Sequence, residues 1–170
     1  MRQRGAITRM PALALSAVTL VLTGACGGGG VRVARIHDSG FTDAAARVCR
    51  AALPPLRPDL SDRSRNEPLQ VADDVEDRAD KLTAMVARLQ RLPVREVDRI
   101  AVGEWLGDWR AYIAVGHAYA RSLRTEDAKR NAEVARDGQA PQRRISAFAR
   151  ANEMKACALD GQPLPARKGL

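Results

Sequence analysis

The chain has 170 residues, with 28 Lys and Arg against 20 Asp and Glu and a formal net charge of +8. It carries two histidines and three cysteines. No zinc-ligand spacing, glycine-rich phosphate loop, Glu-x-x-His pair or haem-attachment motif occurs, so the sequence offers no basis for a metal or other cofactor.

The N-terminal segment Met1 to Arg9 holds Arg2, Arg4 and Arg9 and no acid. Met10 to Leu22 follows, 13 residues without charge and rich in Ala, Leu and Val. A helix crossing about 30 Å of hydrocarbon needs roughly 20 residues, so this stretch is too short to span. Leu22-Thr23-Gly24-Ala25-Cys26 closes it with small residues and a cysteine, and Gly27 to Gly30 come next. This arrangement resembles a bacterial lipoprotein signal with its lipobox; Thr23 stands where Leu is the stronger choice. The resemblance implies cleavage before Cys26, acylation of that residue with a diacylglycerol and a further chain such as palmitate, and a lipid anchor on the extracytoplasmic face of the cell membrane. Each buried methylene contributes about 0.8 kcal/mol and one chain holds only marginally, so stable anchoring takes two or three. On this reading residues 1–25 are the signal peptide, 26–40 a lipidated Gly-rich tether, 41–159 a helical domain and 160–170 a flexible tail.

Cleavage takes away three arginines and no acid, lowering the net charge from +8 to +5. That balance suits anionic headgroups or an anionic wall polymer, while an exported chain has no nucleic acid to bind. The stretch 41–159 is 119 residues, enough for one core that buries roughly two-thirds of the unfolded surface. With Cys26 set aside, Cys49 and Cys157 remain. An even pair outside the cytosol reads as one disulfide, two buried thiols being the alternative. A closed loop of about 100 residues is worth about 4.7 kcal/mol in the chain-entropy account.

The periodicity along this domain is helical. A first helix fits Thr42 to Leu53, with Thr42 as N-cap and Ala45, Val48, Cys49 and Ala52 on one face; Pro54 and Pro55 stop it. A loop runs to Arg65. Asn66 caps a second helix with Pro68 in its first turn, and Val71, Val75, Ala79, Leu82, Val86 and Leu89 make a continuous stripe. Asp73, Asp74, Glu76, Asp77 and Asp80 crowd its N-terminal half and read as a solvated face that complements the helix dipole. Pro93 ends it.

A third helix covers Val97 to Arg124, roughly 42 Å long at 1.5 Å per residue. Trp105, Trp109, Tyr112, Gly116, Ala120 and Leu123 share a face and read as packing residues, with a sugar-stacking platform as the alternative. Gly103, Gly107, Ala111, Ala114 and Ala118 on the other side are small enough to admit a second helix. His117 lies at the edge of the aromatic face. Between Thr125 and Pro141, Asp137-Gly138 is a turn signal; Ala132 to Val134 with Gln139 to Pro141 fit a short β-hairpin as well as continued helix. A fourth helix covers Gln142 to Leu159, with Ile145, Phe148, Ala149, Ala156 and Leu159 in a stripe. Asn152 interrupts it, and a polar group there must find a partner such as a loop backbone. Cys157 falls roughly 100° off the stripe, which strains the disulfide unless the helix has unwound.

The fold class is therefore all-α, a small four-helix bundle-like domain with one disulfide. Trp105, Trp109 and Tyr112, then Tyr119, Ala120 and Leu123, then Ile145, Phe148, Ala149, Asn152, Met154 and Cys157 together resemble small uncharacterised exported helical proteins of actinobacteria. That resemblance implies a helical exported domain with a paired cysteine and carries no activity. The leading functional reading is a non-catalytic interaction or structural module contacting an envelope protein or polymer. The alternative is a small-ligand or lipid carrier with a cavity between the third and fourth helices. An envelope hydrolase comes third, with Glu104, Asp108, Glu153 and His117 as its candidate groups.

Overall fold

In the computed structural model the described residues are 33–53, 67–125 and 128–160. Among them are five α-helices: α1 Ser39–Ala52, α2 Pro68–Leu89, α3 Arg99–Arg124, α4 Ala128–Asp137 and α5 Gln139–Ala151. Single 3-10 turns at Glu96–Asp98 and Lys155–Cys157 precede α3 and follow α5. None of the described helices is long and apolar enough to cross a membrane.

α1 begins three residues earlier than expected. Asp38 is the N-cap, and its Oδ1 accepts from the Phe41 N–H at 3.2 Å. Thr42 lies inside the helix and donates to the Ser39 carbonyl at 3.0 Å. The earlier start lets Phe41 bury fully beside Ala45 and Cys49. For α2, the expected cap Asn66 lies outside the described residues; Pro68 takes the N-terminal position where its missing N–H is harmless.

α2 and α3 are antiparallel and pack along each other as the central pair. Every member of the α2 stripe from Val71 to Leu89 is buried. Two apolar clusters cover this pair. The larger joins α1, the C-terminal half of α2, the N-terminal half of α3, α5 and the final 3-10 turn. The smaller joins Val71, Ala72 and Val75 of α2, Tyr119, Ala120 and Leu123 of α3, and Val134 and Ala135 of α4.

The β-hairpin expected between the third and fourth helices is not there. Ala132 to Val134 belong to α4, Gln139 to Pro141 open α5, and Gly138 between them is itself right-handed, at φ −69° and ψ −19°. The Gly138 N–H reaches the Val134 carbonyl and the Gln142 N–H reaches the Gly138 carbonyl, so helical bonding runs through the bend. Burial of Val134 and Ala135 against α3 favours helix over a strand that has no sheet to join.

α5 is shorter than expected. It stops at Ala151 in a left-handed C-terminal cap: Met154 N–H bonds Ala149 O at 2.8 Å and Glu153 N–H bonds Arg150 O at 3.2 Å. Glu153 takes the left-handed position at φ 60°. Beyond it Cys157 sits in the 3-10 turn and is bonded to Cys49, the Cα atoms 5.1 Å apart across 108 residues of sequence. The end of the helix removes the angular conflict between Cys157 and the apolar stripe.

At its N-terminal end, the small-residue side of α3 packs against no second helix among the described residues. A Cβ at Gly103 or Gly107 would meet nothing within 4 Å, and Ala111 and Ala114 are exposed. At Gly116, on the aromatic face, the same Cβ would sit 3.5 Å from the Ala79 Cβ, so that is where α2 and α3 come closest to needing a small residue.

Candidate functional site

The aromatic residues of α3 are core. Trp105 and Trp109 are 1% and 0% exposed. Trp105 stacks on Phe148 of α5 with centroids 5.3 Å apart and meets Phe41 and Trp109 edge-on. Tyr112 meets Trp109 edge-on and is equally buried; burial raises its hydroxyl above the ordinary tyrosine range. Their faces are covered, so they offer no stacking platform. The same stack fills the space between α3 and α5 where a ligand cavity was expected. The two indole N–H groups are buried and find no acceptor among the described residues.

Asn152 fastens the segment before α1. Its Oδ1 accepts from the Ile36 N–H at 2.7 Å, and its Nδ2 donates to the carbonyls of Ala34 at 3.1 Å and Phe148 at 2.9 Å. Asp98 is the second fastening, a residue that sequence reading passed over. It is 2% exposed, and both its oxygens accept from the His37 N–H, at 3.0 and 3.1 Å. The His37 ring adds a contact from Nδ1 at 3.1 Å. Burial by itself would raise the Asp98 carboxyl; the His37 amide and ring outweigh it and hold it below the usual aspartate value. With Val33 and Ile36 packed on the larger core, residues 33–38 form a strap on the domain, so the stretch reaching to residue 40 is not all tether. No local pattern marks Asp98, because its partner lies 61 residues away.

His117 belongs to an ionic network between α2 and α3. Its Nδ1 lies 2.7 Å from Glu76 Oε1. Arg124 bridges Glu76 at 3.4 Å and Asp73 at 2.8 Å. The His117 hydrogen bond is the main cause holding the Glu76 carboxyl below its ordinary value, and the Asp73 bond is the main cause raising Arg124. Part of the acidic face of α2 is therefore bound to α3. Asp108 is likewise paired, with Arg144 of α5 at 2.7 Å. Glu104 is exposed, and Glu153 is held in the α5 cap.

Beside this network lies a groove of about 320 Å³ between α2 and α3. Thr83, Val86, Ala87 and Gln90 form one wall; Arg110, Ile113, Ala114 and His117 form the other. The antiparallel pairing puts Thr83 with His117 at one end and Gln90 with Arg110 at the other, leaving an apolar middle. Arg110 is exposed and makes no ion pair with a described residue. Thr83 commits its hydroxyl proton to the Ala79 carbonyl at 2.9 Å, so His117 has no activated nucleophile beside it. Among the described residues lining the groove, no hydroxyl or thiol is hydrogen-bonded to His117. Among the described residues no group of three or more His, Cys, Asp or Glu is placed to hold a metal ion.

No family model matches this chain. No curated protein matches it, and no solved structure does. The site is therefore judged on its own chemistry. Cys26 lies outside the described residues, Cys49 and Cys157 form the disulfide, and Trp105, Trp109 and Tyr112 are packing residues. His117 lines the groove and Asn152 holds the strap. The groove was not foreseen, because it depends on which faces α1, α4 and α5 leave uncovered.

Proposed function

We propose that this chain is a membrane-anchored extracytoplasmic lipoprotein whose helical domain is a non-catalytic interaction module of the cell envelope. The observation that carries the reading is the Cys49–Cys157 disulfide. A structural disulfide belongs to an oxidising compartment, which agrees with an export signal ending at Cys26. His117 is tied to Glu76 and Asp108 to Arg144, so two of the candidate hydrolytic groups serve as ties between helices, which agrees with an interaction module. Feeding labelled palmitate to expressing cells tests the anchor. Wild type takes up label and sediments with membranes, whereas Cys26→Ala takes up none; unlabelled wild-type protein in the soluble fraction would end the reading.

The α2–α3 groove supports a second reading, a carrier of small amphiphiles. Its apolar middle and the Arg110 guanidinium suit a short acyl chain with a carboxylate. Medium-chain fatty acids then raise the melting temperature of wild type but not of Arg110→Glu or Ala114→Trp. An equal rise in all three proteins would reject it.

A further inference from the structure

The strap ends beside the most exposed apolar side chains of its end of the fold. Val97 and Ile100 are 65% and 79% exposed, two of the three large apolar side chains in the described residues that face solvent. They stand on either side of Asp98, which ties His37 down. Arg91 and Arg95 in the connection between α2 and α3, and Arg99 at the start of α3, are exposed. Of the acids there, Asp98 is buried against His37, and Glu96 is paired with Arg99 at 2.6 Å. Arg91 and Arg95, beside this apolar tip, make no ion pair with a described residue.

We propose that this corner docks on the anionic surface of the membrane, with Val97 and Ile100 among the headgroups and Arg91 and Arg95 against lipid phosphates. The proposal rests on the lipid anchor at Cys26. Seven residue steps separate Cys26 from Val33, a reach of at most about 25 Å. From Val33 the strap runs directly to Asp98. α3, at 26 residues and so about 39 Å, is longer than that reach. On that proposed anchor, a span of at most about 25 Å tethers the strap, and with it the Asp98 corner, to the bilayer. Exposed aliphatic side chains flanked by arginines suit an interface that is apolar below and anionic above. An envelope protein is the competing occupant, but the short chain from Cys26 to the strap, which His37 hydrogen-bonds to Asp98, favours lipid.

The test uses the full chain in intact cells. A photo-crosslinking amino acid replaces Ile100 or, as the distal control, Lys129 of α4, with labelled palmitate fed to the same cultures. Both proteins take up palmitate, position 100 crosslinks phospholipid, and position 129 does not. Arg91→Glu with Arg95→Glu lowers the position-100 yield severalfold while palmitate uptake is unchanged. Palmitate uptake without lipid crosslinks at position 100, or crosslinks there to protein, overturns the docking corner and leaves the anchor standing. Lipid crosslinks without palmitate uptake keep the corner and discard the anchor; loss of both readouts rejects both.

Discussion

Three polar side chains decide how the ends of this domain are held. Asn152 was legible as a polar residue interrupting an apolar stripe, and such a residue needs a buried partner. Asp98 was not legible, since only the fold brings His37 to it. The same holds for Glu76, whose place in a run of five acids hid its bond to His117. Both carboxyls sit below their ordinary values. A depressed carboxyl contributes stability that is complete above its unfolded value and is lost as pH falls through its folded value. Unfolded Asp and Glu titrate near about 3.9 and 4.3. The melting temperature should thus be insensitive to these two groups from pH 7 to about 5 and fall below about 4. Asp98→Asn should flatten part of that acid limb in thermal melts; an unchanged acid limb would show that Asp98 contributes no folded-state preference for the charged form.

At the scale of elements, the stripes of α2 and α3 were readable because burial and helical period coincide over several turns. Between hairpin and continued helix the sequence leaves 125–141 open, because Asp137-Gly138 is a turn dipeptide; Gly138 in fact takes a right-handed conformation and carries helical bonds through the bend. The end of α5 was missed because its left-handed cap position is Glu153, where glycine would have given the signal. A left-handed non-glycine residue costs roughly 1–2 kcal/mol, so Glu153→Gly should stabilise the domain by about 1 kcal/mol in urea denaturation. A loss of stability would mean the Glu153 side chain makes a contact that outweighs its backbone. On α3, Gly103 and Gly107 were credited with helix packing, but open space surrounds them. Gly103→Ala and Gly107→Ala should each add about 0.8–1 kcal/mol. Destabilisation by either would reveal a partner on that face.

For the whole molecule, the disulfide is the constraint that joins the first described helix to the last turn. Cys49→Ala with Cys157→Ala removes a cross-link between residues 108 apart, which should cost about 4–5 kcal/mol by loop entropy, with Ala packing losses in addition. Equilibrium denaturation of the pair variant measures it, and a loss under about 1 kcal/mol would mean that core packing alone sets the geometry of α1. The pairing was accessible from the sequence because the lipobox resemblance sets Cys26 aside and leaves an even number of cysteines. The placement of α1 was not, because it follows from how α1 packs against α2 and the final 3-10 turn, with Phe41 edge-on to Trp105 of α3. Strap and disulfide describe a domain closed across its sequence, and the proposed anchor at Cys26 would hold it by its N-terminal end. Intact-mass spectrometry of the protein extracted from membranes tests that account most directly. It should show a chain starting at Cys26 with diacylglycerol and acyl mass added, and two hydrogens missing for the Cys49–Cys157 bond. A chain with no lipid mass, or with both thiols free, would contradict it.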